Sequence, residues 1–283
     1  MIARDPAHRP RIVMLGTDSA YTASALRTLS AAGCSPFALV RPRTVPGVPG
    51  VREVRPTMGG AASLPVYEVG RLDHPDGEGL RARLAPDLVV VACHPRRVPP
   101  SWLFSPALGC WNIHPSLLPA YRGPAPVFWQ LRAGEARTGV TVQRMDEDFD
   151  TGPVLAQRAV GFPEGARSDE LDALLAENGA TLVGELVARG DVRETPQDEG
   201  QATGQGFPQE ADLEVPVTWS ARRAFSFLRG AEPWGPFRVR AGSRVLVVAE
   251  ALSWDPAPCA VPLKVAGREA VIAFAPGTVR VWF

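Results

Sequence analysis

The sequence contains a single lysine, Lys264, and its other basic residues are arginines. The 30 basic residues balance 30 acidic ones, so the formal net charge at pH 7 is zero. A protein without net charge lacks the overall field that drives sequence-independent binding to nucleic acid or anionic lipid. Such a partner would need a local patch of charge.

Cysteine pairs and long apolar runs are also missing. The four cysteines are scattered without a Cys-x-x-Cys pair, which indicates neither a zinc site nor a disulfide framework, and no metal is expected. The first apolar run covers only residues 12–16, too short for a signal-peptide core or a membrane span. We therefore expect a soluble, cytoplasmic protein with reduced thiols and no membrane partner.

The length and composition indicate a folded protein with one large domain and a small appendage. The chain has 283 residues, more than one typical domain and fewer than two large ones. Its residues are 45% hydrophobic and 21% charged, within the range of globular proteins, and this excludes a mainly disordered chain.

The first half has the pattern of strands alternating with helices. A buried strand over residues 11–15, a Gly-Thr-Asp-Ser turn at 16–19 and an amphipathic helix over 20–32 predict a βα unit. Further apolar runs at helical or loop separations predict an open parallel sheet in a Rossmann-like α/β domain. These runs are Pro36–Val40, Leu64–Val69, Asp87–Ala92 and Cys110–Ile113. Ligands of such sheets lie beyond the carboxyl ends of the strands, which here means after Ala92 and Ile113.

The second half predicts the end of this domain, a linker and a small domain. A strand pair over 139–144 and 154–160 brackets an acidic loop, and a helix over 168–188 follows. We predict a catalytic domain at residues 1–189, a polar linker at 190–209, and a C-terminal domain at 210–283. Short strands with Gly-containing turns in the last segment predict an antiparallel barrel.

Two segments carry residues suited to catalysis. Asn112 and His114 are two apart at the end of a predicted strand, so their side chains point to the same side and both can donate hydrogen bonds. Asp150, from another loop, could orient His114 or take a proton. Asp146 and Asp148 compete for this role, but only Asp150 precedes Thr-Gly.

At these residues the chain resembles the 10-formyltetrahydrofolate-dependent formyltransferases, which include methionyl-tRNA formyltransferase and sugar and amino-acid N-formyltransferases. The family pattern Asn-x-His-x-Ser-Leu-Leu-Pro matches residues 112–119 without a mismatch, and its Asp-Thr-Gly matches residues 150–152. The resemblance covers residues 11–160 and, more loosely, the region of Pro233 and Trp234. It implies a Rossmann-like formyltransferase domain followed by a small OB-like antiparallel β-barrel.

The resemblance also implies a reaction. A neutral amine attacks the formyl carbon of 10-formyltetrahydrofolate directly, through a tetrahedral intermediate. Asn112 and His114 would stabilise the charge on its oxygen, and Asp150 would orient the imidazole and help to remove the amine proton. No metal is required.

The folate is expected between the segment at 89–98, the Leu117-Leu118 wall and the loop at 144–150. The chain departs from the family at residues 92–97, where Ala-Cys-His-Pro-Arg-Arg replaces an aromatic residue and a glycine. For His94 two roles stay open, a substrate contact and a solvated or loop-packing residue. The residues predicted to bind the folate are Val91, Val98, Ser116, Leu117, Leu118, Arg144, Asp146 and Asp148.

The acceptor is the least determined part of the prediction. Balanced charge and a loop at 41–56 without a lysine-rich tract favour a small biosynthetic amine, an amino acid or an amino sugar nucleotide, over methionyl-tRNA as the alternative. Formate-releasing hydrolysis and a non-catalytic folate-binding module are further alternatives. The sequence does not give the oligomeric state. Residues predicted to contact the acceptor are Tyr121, Arg122 and Trp129.

Overall fold

The computed structural model describes residues 9–43, 51–54 and 64–283. Contacts within the chain divide it into two compact units. The first unit comprises Met1–Arg122, Gly139–Val160 and Asp172–Gly204. The second unit comprises Gly123–Thr138, Gly161–Leu171 and Gln205–Phe283.

The first unit is built around an eight-stranded sheet. Its strands are β1 (Ile12–Gly16), β2 (Ala38–Pro42), β3 (Val51–Val54), β4 (Val66–Val69), β5 (Leu88–Ala92), β6 (Cys110–His114), β7 (Arg137–Arg144) and β8 (Val154–Gly161). Their order across the sheet is β3-β4-β2-β1-β5-β6-β7-β8. The central pairs β4-β2, β2-β1, β1-β5 and β5-β6 are parallel. The pairs β3-β4 and β6-β7 are antiparallel.

The central strands are apolar on both faces because both faces are covered. Every residue of β1 and β5 is buried, as parallel strands under helices require. Val13, Val89 and Trp102 belong to one apolar core of the first unit. The α-helices of the described residues are α1 (Ala20–Ala31), α2 (Pro75–Leu84), α3 (Pro100–Phe104), α4 (Pro126–Ala133), α5 (Ser168–Arg189) and α6 (Ala221–Gly230).

The second unit has two small sheets and its own core. Its strands are β9 (Glu214–Val215), β10 (Phe237–Ala241), β11 (Arg244–Val248), β12 (Glu250–Asp255), β13 (Leu263–Ala266), β14 (Glu269–Ala273) and β15 (Thr278–Trp282). The sheets have the orders β11-β10-β9 and β12-β15-β14-β13, and all pairs are antiparallel except β9-β10. Phe128 of α4 meets the rings of Phe227 and Trp234 at centroid distances of 5.2 and 5.8 Å.

The predicted Rossmann-like α/β domain and the C-terminal antiparallel β-structure are confirmed. The sheet is mixed where a parallel one was predicted, because β3 and β7 run antiparallel to their neighbours β4 and β6, and the burial of a strand does not determine its direction. The predicted domain bounds stay a prediction. The loop at 41–56 lies in part outside the described residues. Within the described part of the chain, no helix is long and apolar enough to cross a membrane.

Candidate active site

The predicted catalytic strand, β6, lies between β5 and β7. Asn112 is opposite Val91 of β5 and opposite Gln143 of β7, while His114 is opposite Thr141. Asn112 and His114 are two residues apart and therefore share one face of the sheet. Gln143 and Thr141 share a face in the same way, so polar side chains of two adjacent strands meet there.

The carboxylate of Asp150 is the meeting point of these side chains. Its Oδ1 accepts hydrogen bonds from Asn112 Nδ2 at 3.2 Å and from Gln143 Nε2 at 2.8 Å. The same oxygen lies 3.4 Å from His114 Nδ1. The side chains of His114 and Asp150 are only 5% and 11% exposed, so little water competes for these contacts. The structure thus brings the three predicted catalytic side chains together.

His114 lies between two groups that accept hydrogen bonds. Its Nε2 is 2.9 Å from the carbonyl oxygen of Tyr121, and its Nδ1 faces the Asp150 carboxylate. Because a carbonyl oxygen can only accept, Nε2 carries the hydrogen in this arrangement. Tyr121 and Asp150 both adopt left-handed backbone conformations, with φ of 60° and 58°. Such non-glycine residues cluster at functional sites, where the surrounding structure holds them.

The Asp-Thr-Gly motif is explained by the loop that carries Asp150. Thr151 Oγ1 donates to Asp146 Oδ1 at 2.7 Å, and the Asp148 backbone N–H donates to the same oxygen at 3.2 Å. A Cβ atom on Gly152 would lie 1.8 Å from the carbonyl oxygen of Arg144. Only glycine allows this approach, so the motif fixes the backbone around Asp150.

The loop after β6 is fixed by buried hydrogen bonds. Thr141 Oγ1 donates to the Ser116 carbonyl at 2.7 Å and accepts from the Leu118 N–H at 3.0 Å. Gln157 Nε2 donates to the Leu118 carbonyl at 2.6 Å and to Thr141 Oγ1 at 2.9 Å. These bonds join the loop to Thr141 of β7 and Gln157 of β8, which holds it beside His114.

A segment at residues 195–203, here called the strap, also reaches the site. Its Thr195 exchanges two backbone hydrogen bonds with Val154, of 2.8 and 2.9 Å. Gln197 Nε2 donates to the carbonyl oxygens of Asp150 at 2.8 Å and of Gly152 at 2.7 Å. This segment was predicted to be part of a surface linker. Its contacts place it against the loop of Asp150.

Sequence reasoning missed Gln143, Thr141 and Gln197. Gln143 and Thr141 could have been found, because two polar residues at alternate positions of an otherwise apolar strand indicate partners on that face. Both are buried, at 1% and 0% exposure. Gln197 lies in a polar stretch in which no pattern distinguishes it from its neighbours.

A cavity of about 410 Å³ opens in the first unit near the predicted folate segment. Its lining includes His94, Arg96, Val98 and Glu147. Within the described residues, both ring nitrogens of His94 are buried without a well-formed hydrogen bond. Burial, and next the charge of Arg96, lower the pKa of His94 to about 4, opposed by the backbone of Gly16. The ring is therefore neutral at pH 7.

The predicted folate-binding residues occupy different environments, and their role stays a prediction. Val98 and its neighbours line the cavity. Val91, Ser116 and Leu118 are buried, and Leu117 is half-buried. Ser116 Oγ donates to the Ala120 carbonyl at 2.6 Å. Arg144 pairs with Glu194, Asp146 accepts the Thr151 hydroxyl, and Asp148 is exposed 3.9 Å from Arg97.

The predicted acceptor-binding residues are also untested. Tyr121 presents its carbonyl oxygen to His114, whereas the Arg122 guanidinium bonds to Gln197 and Glu199. Trp129 belongs to the second unit, where its indole N–H donates to the Gly206 carbonyl at 3.0 Å. His94 lines the cavity near the predicted folate segment, and its contact with a substrate stays a prediction. Among the described residues, no group of three or more His, Cys, Asp and Glu side chains is placed to hold a metal ion.

Comparisons with known proteins identify the family. Residues 60–186 match the model described as formyl transferase. The methionyl-tRNA formyltransferase of Chloroflexus aggregans is 41% identical over 234 residues, 79% of this chain and 74% of that protein. That of an Anaeromyxobacter species is 35% identical over 283 residues, 95% of this chain and 89% of that protein. This chain belongs to the formyltransferase family.

A solved structure shares the fold of this formyltransferase. HypX from Aquifex aeolicus, in complex with tetrahydrofolic acid, matches it with a TM-score of 0.65 and 18% identity. The match covers 97% of this chain and 44% of the HypX chain, so this chain spans less than half of that protein. The resemblance predicted from the two motifs is confirmed, and with it the enzyme class, a 10-formyltetrahydrofolate-dependent formyltransferase.

The preference for a small-molecule amine acceptor is wrong, and so is the lower rank given to tRNA among the partners. Curated relatives of this formyltransferase at 33–41% identity are named methionyl-tRNA formyltransferase, which favours the alternative. The error has a physical reason. Net charge averages over the surface and does not exclude a local patch, and arginine carries the same charge as lysine.

The site of this formyltransferase can stabilise charge of both signs. The Asn112 amide has a second N–H besides the one directed at Asp150, and this can be donated to an oxygen that gains negative charge. The Asp150 carboxylate can stabilise positive charge on an attacking nitrogen and receive its proton. Amide donor and carboxylate are fixed to each other by one hydrogen bond, which preorganises the pair.

Proposed function

We propose that this protein transfers the formyl group of 10-formyltetrahydrofolate to the amino group of methionyl-tRNA. The observation that carries the proposal is the convergence of Asn112, Gln143 and His114 on a single carboxylate oxygen of Asp150. In a chain of the formyltransferase family, this cluster has the donors and the base that acyl transfer to an amine needs.

The residues fill distinct roles in the proposed reaction. Asn112 donates its second N–H to the formyl oxygen as negative charge develops there, in a site from which water is largely excluded. Asp150 holds the amide of Asn112 and faces the imidazole of His114. The proton lost by the amine passes to this carboxylate–imidazole pair, which lies in the same cluster.

The residues present fit a folate as the formyl donor. A pterin ring offers hydrogen-bond donors and acceptors along its edge, and His94 supplies two buried ring nitrogens without well-formed bonds within the described residues. Val98 gives the same cavity an apolar wall. His94 and Val98 would hold the folate together with Leu117, the loop at 144–150 and the other predicted residues. The bound folate supplies an activated formyl group.

The C-terminal segment offers exposed positive charge for tRNA phosphates. Residues 206–283 contain nine Lys and Arg against seven Asp and Glu. Lys264 and Arg280 are both exposed and both lie opposite Val271, one on each side of β14, so they share a face of the sheet. Two cations on one face, about 10 Å apart by strand spacing, can contact neighbouring phosphates of a nucleic acid.

We propose that the C-terminal strands form an OB-like barrel, supported by two sheets that enclose one core around Phe237, Ile272 and Val281. A cytoplasmic location agrees with an acceptor that serves translation. The four cysteines are free thiols, and none forms a disulfide.

The test is formylation of initiator methionyl-tRNA. The purified protein is incubated with 10-formyltetrahydrofolate and charged tRNA, and formyl-methionine is measured by mass spectrometry after digestion, with His114→Ala as the inactive control. We expect rapid formylation by the wild type alone. Release of formate without formyl-methionine would contradict the proposal.

Binding provides a second arm of the same test. Each phosphate contact makes the slope of log K against log salt concentration more negative by about 0.7–0.9. We expect a steep negative slope for the wild type. In a Lys264→Gln, Arg280→Gln variant the slope should be shallower by the amount of about two contacts. A flat salt dependence in the wild type would contradict phosphate binding.

A further inference from the structure

Gln197 of the strap connects the loop that carries Asp150 to the segment that contacts His114. Its amide nitrogen donates to the carbonyls of Asp150 and Gly152, at 2.8 and 2.7 Å, and lies 3.5 Å from Gln143 Oε1. Its amide oxygen accepts from Arg122 Nη2 at 2.8 Å and Nε at 3.2 Å. Carbonyls only accept and guanidinium groups only donate, so these neighbours allow one orientation of the amide.

Arg122 is itself held in place by the strap. Its Nη1 and Nη2 donate to the two carboxylate oxygens of Glu199 at 2.9 and 2.7 Å, a bidentate pair. This contact raises the pKa of Arg122 and lowers that of Glu199, which keeps both groups charged. The Arg122 side chain is 13% exposed although Glu199 is 70% exposed.

The strap also holds the backbone next to His114. The Tyr121 N–H donates to Thr203 Oγ1 at 2.9 Å, and the Arg122 N–H donates to the Thr203 carbonyl at 2.8 Å. The carbonyl of Tyr121 is the partner of His114 Nε2. One segment therefore fixes the groups on both sides of the imidazole, Tyr121 at Nε2 and Asp150 at Nδ1.

The backbone held by Gln197 has an uncommon conformation. Asp150 has a φ of 58°, in the left-handed region that only a few per cent of residues other than glycine adopt. Two hydrogen bonds to the carbonyls on either side of Thr151 hold this conformation, and with it the direction of the carboxylate. Without them the loop can relax and carry Oδ1 away from His114 and Asn112.

We propose that Gln197 is a positioning residue for formyl transfer, which holds Asp150 in its reactive orientation through the two backbone carbonyls and is itself oriented by the Arg122–Glu199 pair. The inference rests on the proposed formyl transfer. It concerns a residue that touches neither donor nor acceptor in the proposed reaction and acts through Asp150.

The test compares Gln197→Ala with Gln201→Ala, a control in the same strap whose side chain bonds to the neighbouring Asp198 at 2.8 Å. Misplacing a catalytic group by about 1 Å can cost on the order of 100-fold. We expect Gln197→Ala to lower kcat about 10–100-fold while both KM values stay within threefold, and Gln201→Ala to remain near wild type. If wild type and control are inactive, the proposed function fails; if Gln197→Ala is as active as they are, this inference fails.

Gln197→Glu keeps the side-chain volume and the contact to Arg122 but removes the bonds to the two carbonyls. A carboxylate oxygen cannot donate to them and repels them, so some stability is lost. We expect a variant that is folded by circular dichroism, with a kcat at least as low as that of Gln197→Ala. A Gln197→Glu variant with wild-type kcat would overturn the inference, even if the alanine variant did not fold.

A double-mutant cycle tests the route through Asp150. If Gln197 acts through this residue, adding Gln197→Ala to Asp150→Ala should change kcat by less than about twofold, since coupled residues are non-additive. A further loss of 10-fold or more in the double variant would show an independent role and would overturn the proposal.

Discussion

Replacing Asp150 by asparagine removes one charge and little else. The asparagine oxygen can still accept from Asn112 and Gln143, which now bond to Asp150 at 3.2 and 2.8 Å. Asparagine also tolerates the left-handed φ of 58° at this position. We therefore expect the free energy of unfolding to change by less than about 1 kcal/mol.

Turnover should respond to the lost charge. The carboxylate lies 3.4 Å from His114 Nδ1 and is 11% exposed. Positive charge develops on the attacking nitrogen in the transition state. A full positive charge about 4 Å from the carboxylate would be attracted by roughly 4 kcal/mol at an effective dielectric constant of about 20, and we take this as the largest loss of transition-state stabilisation. Each factor of ten in rate corresponds to about 1.4 kcal/mol, so Asp150→Asn should lower kcat by about 10²–10³.

Asp150→Ala is the matched comparison. It removes the acceptor of two amide donors, Asn112 and Gln143. Gln143 is only 1% exposed, and a buried donor left without an acceptor costs about 1–3 kcal/mol of folding free energy. Alanine also tolerates a left-handed backbone less well than asparagine. Both variants should lose turnover, measured in single-turnover formylation, but only alanine should lose stability in urea. Turnover of Asp150→Asn within tenfold of wild type would refute the role of the charge.

Three further predictions follow from the described residues. Asn112→Ala and His114→Ala should each lower kcat at least about 100-fold with the fold intact, checked by steady-state kinetics and circular dichroism. Gly152→Ala should be inactive and less stable by about 1–3 kcal/mol or more, because its Cβ would lie 1.8 Å from the Arg144 carbonyl oxygen. Gly161→Ala serves as the control, since a Cβ atom at Gly161 meets nothing within 4 Å. The pKa of His94 falls from 6.5 to about 4 on folding, so the unfolded chain binds the proton first and stability is lost as the pH falls from 6.5 towards 4. Between pH 7.5 and 5 the free energy of unfolding of the wild type, measured in urea, should fall by about 2 kcal/mol more than that of His94→Phe. Equal losses in the two proteins would refute this prediction.

Local patterns in the sequence predicted the elements that build the site. The buried run before residue 16, the turn at 16–19 and the amphipathic segment after it predicted β1 and α1. In the structure the Ser19 side chain accepts a hydrogen bond from the Thr22 N–H. The motif residues Asn112 and His114 were placed on one face from their spacing alone, and that face is where Asp150 lies. These predictions depend on neighbours in the sequence, which is why they were accessible.

Long-range relations were not accessible in this way. Residues 123–138 and 161–171 share a unit with the C-terminal strands, because α4 places Phe128 and Leu131 in that core. Nothing in an amphipathic segment tells which core it joins. The strap was predicted to be part of a linker because its composition is polar. Gln197 makes its contacts with residues about 50 positions earlier, and polar composition does not reveal such partners.

The acceptor prediction failed for a related reason. Recognition of tRNA depends on where charges lie on the folded surface, and the count of 30 basic and 30 acidic residues does not contain that information. The register that places Lys264 and Arg280 on either side of Val271 is a property of the sheet.

A competition experiment tests the central claim most directly. Limiting 10-formyltetrahydrofolate is mixed with the wild-type protein, initiator methionyl-tRNA and an excess of free methionine and an amino sugar nucleotide, and the formylated products are quantified by mass spectrometry. We expect essentially all formyl groups to appear on methionyl-tRNA, and Asp150→Asn to form this product at least about 100-fold more slowly. Preferential formylation of either small amine would contradict it.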